Sequence, residues 1–124
     1  MKIFELLASH GHERLAFHHD PATGLKAIIA IHSTMLGNAL GGTRRWAYAD
    51  EAEAIRDVIR LSEGMTYKAA ASDLPMGGAK SVIIARPGQQ ATEAEVRAHC
   101  KTTAQVDSTR EKPPMPTMRH KPTR

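Results

Sequence analysis

Apolar positions follow two different periods along the first hundred residues of the chain. Residues 27–31 form an unbroken apolar run, Ala-Ile-Ile-Ala-Ile, and residues 81–85 form a second short run rich in β-branched side chains. Such runs favour strands covered on both faces. Over residues 50–72 the apolar side chains instead recur at helical spacing on one face. They are Ile55, Val58, Ile59, Met65 and Ala69. Gly64 interrupts this helical stretch, and we interpret it as a close-packing or bending site.

Turn and capping residues predict where these elements begin and end. Residues 20–24, Asp-Pro-Ala-Thr-Gly, have turn chemistry and lie between possible strands over 14–19 and 25–32, which predicts a hairpin. Asp50 is the expected N-cap of the long helix, and Glu53 three residues later completes a capping-box pattern. Further predicted elements are a helix over 3–9, a strand over 41–48 and a helix over 92–98 that ends the ordered part.

The composition changes sharply near residue 100. Residues 1–100 carry eleven Lys/Arg and eleven Asp/Glu, so the whole net charge of +4 comes from residues 101–124. That segment also holds four of the seven prolines and contains no Leu, Ile or aromatic residue. It cannot bury enough apolar surface to offset its ordering entropy. We therefore predict one α/β domain over residues 1–99, a single open mixed sheet flanked by helices, and a disordered basic tail over residues 100–124.

Several classes of protein are disfavoured by what the sequence lacks. A single cysteine, Cys100, excludes an internal disulfide framework and a cysteine-cluster metal site. No apolar run approaches the ~18 residues of a membrane span. Glu5 interrupts the first apolar stretch, which argues against a signal peptide. We therefore expect a cytoplasmic protein without a membrane partner.

Two binding hypotheses are weak. The tail offers no aromatic side chain for base stacking and its charges are widely spaced, so nucleic-acid binding is not expected. The histidines follow no recognisable ligand spacing with carboxylate support, so no metal site is expected either. The histidines that lie closest together along the chain are His10, His12, His18 and His19.

Two lysines beside glycines are the strongest candidates for chemistry. Lys68 ends the stretch Gly-Met-Thr-Tyr-Lys on the predicted long helix, and Lys80 follows Gly-Gly-Ala before a buried strand. Neighbours with so few polar groups would remove water from Lys80, which disfavours its charged form and suits a base. The alternative, a solvated lysine beside a glycine turn, stays open. A phosphate loop does not fit, because Ala79 stands where its glycine would precede the lysine.

A second glycine pair, Gly41 and Gly42, precedes a predicted strand. It favours either a β-bulge or a pocket wall where the backbone meets a small ligand.

Four stretches occur in order along the chain: residues 24–32 (GLKAIIAIH), 40–44 (LGGTR), 60–68 (RLSEGMTYK) and 77–80 (GGAK). Together, at these spacings, they resemble the N-terminal domain of the Glu/Leu/Phe/Val dehydrogenase family, and the leucine dehydrogenase branch fits best.

The resemblance implies NAD-dependent oxidative deamination of a branched-chain or other apolar L-amino acid to its 2-oxo acid. Lys68 would pair with the substrate carboxylate, and Lys80 would activate the water that attacks the imine. The substrate would lie against Gly41, Gly42, Leu40 and Met65. The resemblance also implies a homo-oligomer.

The resemblance stops near His99. The family would continue with a catalytic aspartate and an NAD-binding domain, and no G-x-G-x-x-G fingerprint occurs in the 124 residues. We therefore expect a truncated chain without turnover of its own. Two alternatives remain: an interaction fragment that pairs with itself or with full-length subunits, and the non-functional product of a damaged gene.

Overall fold

The computed structural model describes the backbone of residues 1–108 and the side chains of residues 1–103. Over that range the chain forms three helices and five strands. In chain order they are α1 (Ile3–His10), β1 (Arg14–Asp20), β2 (Leu25–Ile31), β3 (Ala39–Leu40), β4 (Thr43–Trp46), α2 (Glu51–Ala71), β5 (Gly77–Ile84) and α3 (Glu93–Ser108). None of the helices in this part of the chain is long and apolar enough to cross a membrane.

The strands build one open, mixed sheet, which confirms the predicted α/β fold class. β1 pairs with β2 and β2 with β5, both antiparallel, while β3 and β4 run parallel to β5. β5 is therefore the central strand, because it pairs with β2 along one side and with β3 and β4 along the other. All eight residues of β5 are buried or half-buried.

The predicted hairpin is confirmed. β1 and β2 pair from Arg14 opposite Ile31 to Asp20 opposite Leu25. Asp20 closes the turn: its carboxylate accepts from the hydroxyl of Thr23 at 2.8 Å and its carbonyl accepts from the N–H of Gly24 at 2.8 Å. Gly24 has a φ of +74°, a left-handed conformation that favours glycine.

Helices cover both faces of the sheet. On one face, α2 packs its predicted apolar stripe against β2 and β5, and on the other face a smaller cluster packs beneath α3. The first cluster contains Ile28, Ala30, Ala54, Ile55, Val58, Ile59 and Val82. The second contains Leu25, Ala27 and Ile83, with Ala98 of α3 against it. The long apolar run of β2 is thus explained, since residues on both of its faces are buried.

The start of α2 has the predicted cap with one difference in detail. The Asp50 carboxylate accepts from the Glu53 N–H at 2.7 Å, as in a capping box. The Glu53 carboxylate accepts from the N–H of Ala49 at 2.9 Å, one residue before the N-cap. The close-packing interpretation of Gly64 is wrong for the described residues, because a Cβ there would meet nothing within 4 Å. The bending interpretation stays a prediction.

Three elements differ from the sequence-based expectations. The predicted strand over 41–48 is shorter, since β4 covers only Thr43–Trp46, and β3 precedes it as a separate strand of two residues. The predicted strand over 81–85 starts earlier, at Gly77, because β3 and β2 flank those residues. The predicted helix over 92–98 continues to Ser108, and Thr102 within the extension is buried, at 4% exposure. The tail prediction for residues 109–124 falls outside the described residues, and the domain boundary at residue 99 stays a prediction.

Candidate active site

The side chain of Lys80 lies on the α2 side of the sheet. Successive residues of a strand point to opposite faces, so Gly78, Lys80 and Val82 share one face. Val82 belongs to the apolar cluster that α2 covers, and Gly78 touches α2 directly. Lys68 and Met65 lie on that same helix. The two candidate lysines therefore belong to facing layers, one on the helix and one on the strand beneath it.

Lys80 lies beside the second candidate glycine. It is half-buried, and a Cβ at Gly42 would lie 3.5 Å from its Nζ atom. A Cβ at Gly41 would overlap the carbonyl oxygen of Ala79, so the backbone preceding β4 can lie this close to β5 only because residue 41 is glycine. The structure thus brings Gly41 and Gly42 to the part of β5 that carries Lys80.

The other candidate residues lie around this place. Lys68 is exposed in the last turn of α2, Met65 is half-buried one turn earlier, and Leu40 pairs with Gly78 and is 55% exposed. Neither lysine ammonium has an ion-pair or hydrogen-bond partner among the side chains of residues 1–103. Two unpaired ammonium groups in adjacent layers, one exposed and one half-buried, suit an anionic ligand.

The helix and the strand touch most closely at Gly78. A Cβ on Gly78 would overlap the backbone N and the Oγ1 of Thr66 and the carbonyl oxygen of Ser62. The second glycine of the Gly-Gly-Ala-Lys stretch is therefore a packing requirement between α2 and β5. Gly77 is a packing requirement between β5 and the segment after β2, because a Cβ there would overlap the Ser33 carbonyl oxygen.

A histidine cluster that the sequence analysis did not predict supports this junction. His12 and His32 lie with ring centroids 4.6 Å apart in an edge-on arrangement, and His10 lies 6.3 Å from His12. Each binds α2: His10 Nδ1 lies 2.7 Å from a Glu63 carboxylate oxygen and His12 Nε2 lies 2.7 Å from the hydroxyl of Ser62. His32 lies 2.7 Å from the hydroxyl of Thr66.

The cluster is electrostatically coupled to its surroundings. Burial, then the neighbouring His32 ring, lower the pKa of His12 to about 4, and its Nδ1 atom is buried without a partner among the described atoms. The hydrogen bond from His10 holds the pKa of Glu63 below its usual range. One signal was available in the sequence: His32 directly follows the apolar strand, and Ser62 and Thr66 recur at i, i+4 on α2.

On the opposite face, β4 and β5 are tied together directly below the lysine. The hydroxyls of Thr43 and Ser81 lie 2.6 Å apart, and the Nε2 atom of His99 from α3 lies 3.1 Å from each. Burial lowers the pKa of His99. Since Thr43 follows Gly42 and Ser81 follows Lys80, this bridge fixes the two strands where the candidate residues meet.

A carboxylate also anchors β4 to α2. Asp57 accepts from Tyr48 and Arg60 and pairs with Arg44 at 3.1 Å. Although burial opposes it, the hydrogen bonds from Tyr48, Arg60 and Arg44 hold the pKa of Asp57 below its usual range. These contacts lie two residues beyond Gly42 and limit how far β4 can move from the helix.

The structure groups no three His, Cys, Asp or Glu side chains suitably for a metal ion within its described residues. His10 and His12 hydrogen-bond side chains of α2, whereas His18 and His19 lie on β1.

Comparison with known proteins gives matches over most of the chain. The sequence model of a family described as Glu/Leu/Phe/Val dehydrogenase, dimerisation domain, matches residues 12–110. The chain is 54% identical over 98 residues to leucine dehydrogenase of Bacillus cereus, covering 79% of this chain and 27% of that protein. It is 53% identical over 96 residues to phenylalanine dehydrogenase of Lysinibacillus sphaericus, covering 77% of this chain and 25% of that protein.

The same likeness holds in three dimensions. The crystal structure of L-tryptophan dehydrogenase from Nostoc punctiforme superposes with a TM-score of 0.81 at 45% identity, over 85% of this chain and 31% of that chain. The chain spans about a quarter of the length of the curated relatives it matches. Because the family match covers most of the chain and includes the glycine and lysine stretches, this chain belongs to the Glu/Leu/Phe/Val dehydrogenase family and carries its dimerisation domain.

Proposed function

We propose that this chain is the substrate-binding part of a leucine-type amino acid dehydrogenase, an NAD-dependent enzyme that converts a branched-chain or other apolar L-amino acid to its 2-oxo acid. The observation that carries the proposal is the half-buried Lys80 ammonium, which lies beside Gly42 and has no ion-pair partner among residues 1–103. An unpaired cation in a partly dry site needs either an anionic ligand or a proton-transfer task. The proposed setting is the cytoplasm.

The two lysines take different tasks because their surroundings differ. Lys68 is exposed near the end of α2 and can follow a substrate carboxylate with its flexible side chain. Lys80 is held on the central strand, where it exchanges a proton with a water at the substrate's α-carbon. Two like groups in different environments can take different roles in this way.

Apolar and small residues shape the rest of the proposed site. Leu40 and Met65 present apolar side chains on β3 and α2, and they would contact the substrate side chain. Gly41 and Gly42 leave backbone without side chains next to Lys80, so a small substrate can approach closely. Apolar side chains at these positions would favour leucine-like over acidic substrates.

The described residues do not fit the NAD itself. The space beside Gly77 and Gly78 at the start of β5 is occupied by the Ser33 carbonyl and by α2, so no cradle for a pyrophosphate is left there. Strands β1, β2 and β5 are antiparallel, unlike a dinucleotide-binding fold. The proposal therefore assigns only substrate and water chemistry to these residues. It also predicts that the 124-residue chain forms no NADH from leucine and NAD, and a sustained rise in absorbance at 340 nm would contradict that.

Binding of the 2-oxo acid tests the proposal without the cofactor. The purified chain is titrated with 4-methyl-2-oxopentanoate while its amide NMR signals are followed. We expect shifts centred on residues 40–42, 65–68 and 78–80. Lys68→Met and Lys80→Met should each weaken binding by about tenfold or more. Lys101→Met, which removes an exposed lysine from α3, should leave the affinity unchanged.

Substrate class is tested in the same titration. Phenylpyruvate and 2-oxoglutarate replace the leucine-derived acid, and the second should bind more weakly because its extra carboxylate would enter the apolar pocket. Equal affinity of wild type, Lys68→Met and Lys80→Met would refute the proposed site. Tighter binding of 2-oxoglutarate would refute the apolar specificity alone.

An interaction fragment is the second candidate function. Within the described residues β1 pairs only with β2, so its outer edge is free, and Phe17 on β1 is 57% exposed. A free strand edge can pair with a second chain. A homo-oligomer in light scattering, or co-purification with a full-length leucine dehydrogenase, would support this function. A monomer that does not bind the full-length subunit would exclude it.

A further inference from the structure

His32 joins three segments of the chain at one point. It directly follows β2 and is 7% exposed. Its backbone N–H donates to the carbonyl of Gly78 on β5 at 2.9 Å. Its ring binds the carbonyl of His10 through Nε2 at 2.7 Å and the hydroxyl of Thr66 on α2 through Nδ1 at 2.7 Å. A buried side chain with both ring nitrogens engaged has one orientation only.

The hydrogen bonds define the tautomer of this ring. The carbonyl of His10 can only accept, so Nε2 carries the proton and donates it. In the neutral ring Nδ1 is then the acceptor, and the hydroxyl of Thr66 donates to it. A side chain that replaces His32 can therefore keep the bond from Thr66 only if it places an acceptor atom at the position of Nδ1.

The bond to Thr66 acts where the helix and the strand already touch. A Cβ on Gly78 would overlap the backbone N and the Oγ1 of Thr66, so the two elements are in backbone contact there. His32 holds Gly78 with its main chain and Thr66 with its ring. It therefore ties both sides of this contact from a third element.

The proposed substrate residues are neighbours of this point. Met65 precedes Thr66 and Lys68 follows it by two residues, while Lys80 follows Gly78 by two. A turn or slide of α2 against β5 would move Met65 and Lys68 relative to Lys80. The His32 bond to Thr66 opposes such a movement.

We propose that His32 is a positioning residue, which holds the Met65–Lys68 segment of α2 in register with Lys80 through its hydrogen bond to Thr66. The inference rests on the proposed function, since it assigns His32 to the carboxylate-binding arm of that site. His32 itself does not contact the substrate.

Four substitutions in the full 124-residue chain separate the hydrogen bond from packing. Thr66→Val removes the hydroxyl and keeps the shape, whereas Thr66→Ser keeps the hydroxyl. His32→Asn places an acceptor oxygen near the position of Nδ1, whereas His32→Gln keeps a donor near Nε2 and loses that acceptor. Val matches Thr in shape, Ser lacks one methyl group, and Asn is one methylene shorter than Gln, so melting temperatures are measured to confirm that each variant is folded.

Two readouts are measured for each variant. The first is the affinity for 4-methyl-2-oxopentanoate. We expect Thr66→Val and His32→Gln to weaken it by about tenfold, and Thr66→Ser and His32→Asn by less than about threefold. The second is hydrogen exchange without ligand: the amides of residues 65–68 should exchange about tenfold faster in the first pair, with residues 54–59 unchanged.

Each result decides the proposal. Wild-type affinity and exchange in Thr66→Val and His32→Gln would overturn it, as would an equal loss in Thr66→Ser and Thr66→Val, because packing alone would then explain the effect. If the wild-type chain binds no 2-oxo acid, the substrate site fails as a proposal. The exchange rates then decide whether His32 holds the helix segment, and unchanged rates would overturn that as well.

Discussion

Gly42 leaves open the space that the Lys80 ammonium faces: a Cβ at position 42 would lie 3.5 Å from Lys80 Nζ. The preceding glycine has a different task, because a Cβ at Gly41 would overlap the backbone of Ala79. Two adjacent glycines thus serve two purposes. One allows the strands to approach, and the other leaves room beside a charged group.

This difference predicts opposite results for two alanine substitutions. Gly41→Ala should lower the free energy of unfolding by about 3 kcal/mol or more, because backbone must move to admit the methyl group. Gly42→Ala should change it by less than about 1 kcal/mol, since 3.5 Å is ordinary van der Waals contact. The same methyl group should weaken binding of 4-methyl-2-oxopentanoate by about fivefold through crowding at Lys80.

Urea unfolding and the ligand titration measure both effects in one preparation. The control is Ala47→Gly, at an exposed position just after β4. Gly88→Ala is not suitable, because Gly88 has a φ of +74° and an alanine there would strain the backbone. Equal destabilisation by Gly41→Ala and Gly42→Ala would contradict the assignment of separate tasks.

The cap of α2 gives a second prediction. Asp50→Ala removes the acceptor of the Glu53 N–H and should destabilise the chain by about 1 kcal/mol. Asp50→Asn keeps an acceptor oxygen and should recover most of the loss. Glu51→Ala, one residue along and exposed, is the control with little expected effect. Equal midpoints of urea unfolding for the two Asp50 variants would show that the side-chain bond does not matter.

Tyr48 gives a third prediction. Burial, and then its hydrogen bond to Asp57, raise the pKa of Tyr48 well above its usual range. Tyr48→Phe should lower the free energy of unfolding by about 1–2 kcal/mol, because a half-buried carboxylate loses a donor. Tyr67→Phe, which removes an exposed hydrogen bond to Glu63 at a side chain 62% exposed, should cost less than about 0.5 kcal/mol. Thermal unfolding of the two variants compares them directly, and a larger loss for Tyr67→Phe would refute the assignment.

The histidine cluster predicts that acid destabilises the fold. Burial beside His32 lowers the pKa of His12 to about 4, so the folded chain resists protonation that the unfolded chain accepts near the ordinary value of 6.5. On acidification the unfolded state therefore binds the proton first, and stability falls as the pH drops from about 6.5 to about 4. Above that window the group has no such effect.

His12→Gln isolates this contribution, because it removes the titrating ring and can still donate to Ser62. Between pH 6.5 and 4 the variant should lose about 1–2 kcal/mol less stability than the wild type, after allowance for solvent screening. His99, whose pKa is lowered by burial, titrates in both proteins and cancels in the comparison. Parallel curves of unfolding free energy against pH for the two proteins would contradict the prediction.

Local sequence patterns were sufficient for the hairpin and for α2. Asp20 to Gly24 closes its turn through contacts within five residues, and Asp50 caps α2 through a residue three positions away. The lysine and glycine stretches were visible for the same reason, since unusual residues stand next to each other. The family assignment followed from these short stretches taken in order.

Contacts between distant residues decided what the sequence could not show. The position of Lys80 beside Gly42, the ring of His32 between His10 and Thr66, and the burial of Thr102 in α3 all depend on residues far apart in the chain. Periodicity reports which residues share a face of one element, but not which face of another element they meet. That pairing arises only when the helices close over the sheet, because backbone contacts such as the one at Gly78 set the register between layers.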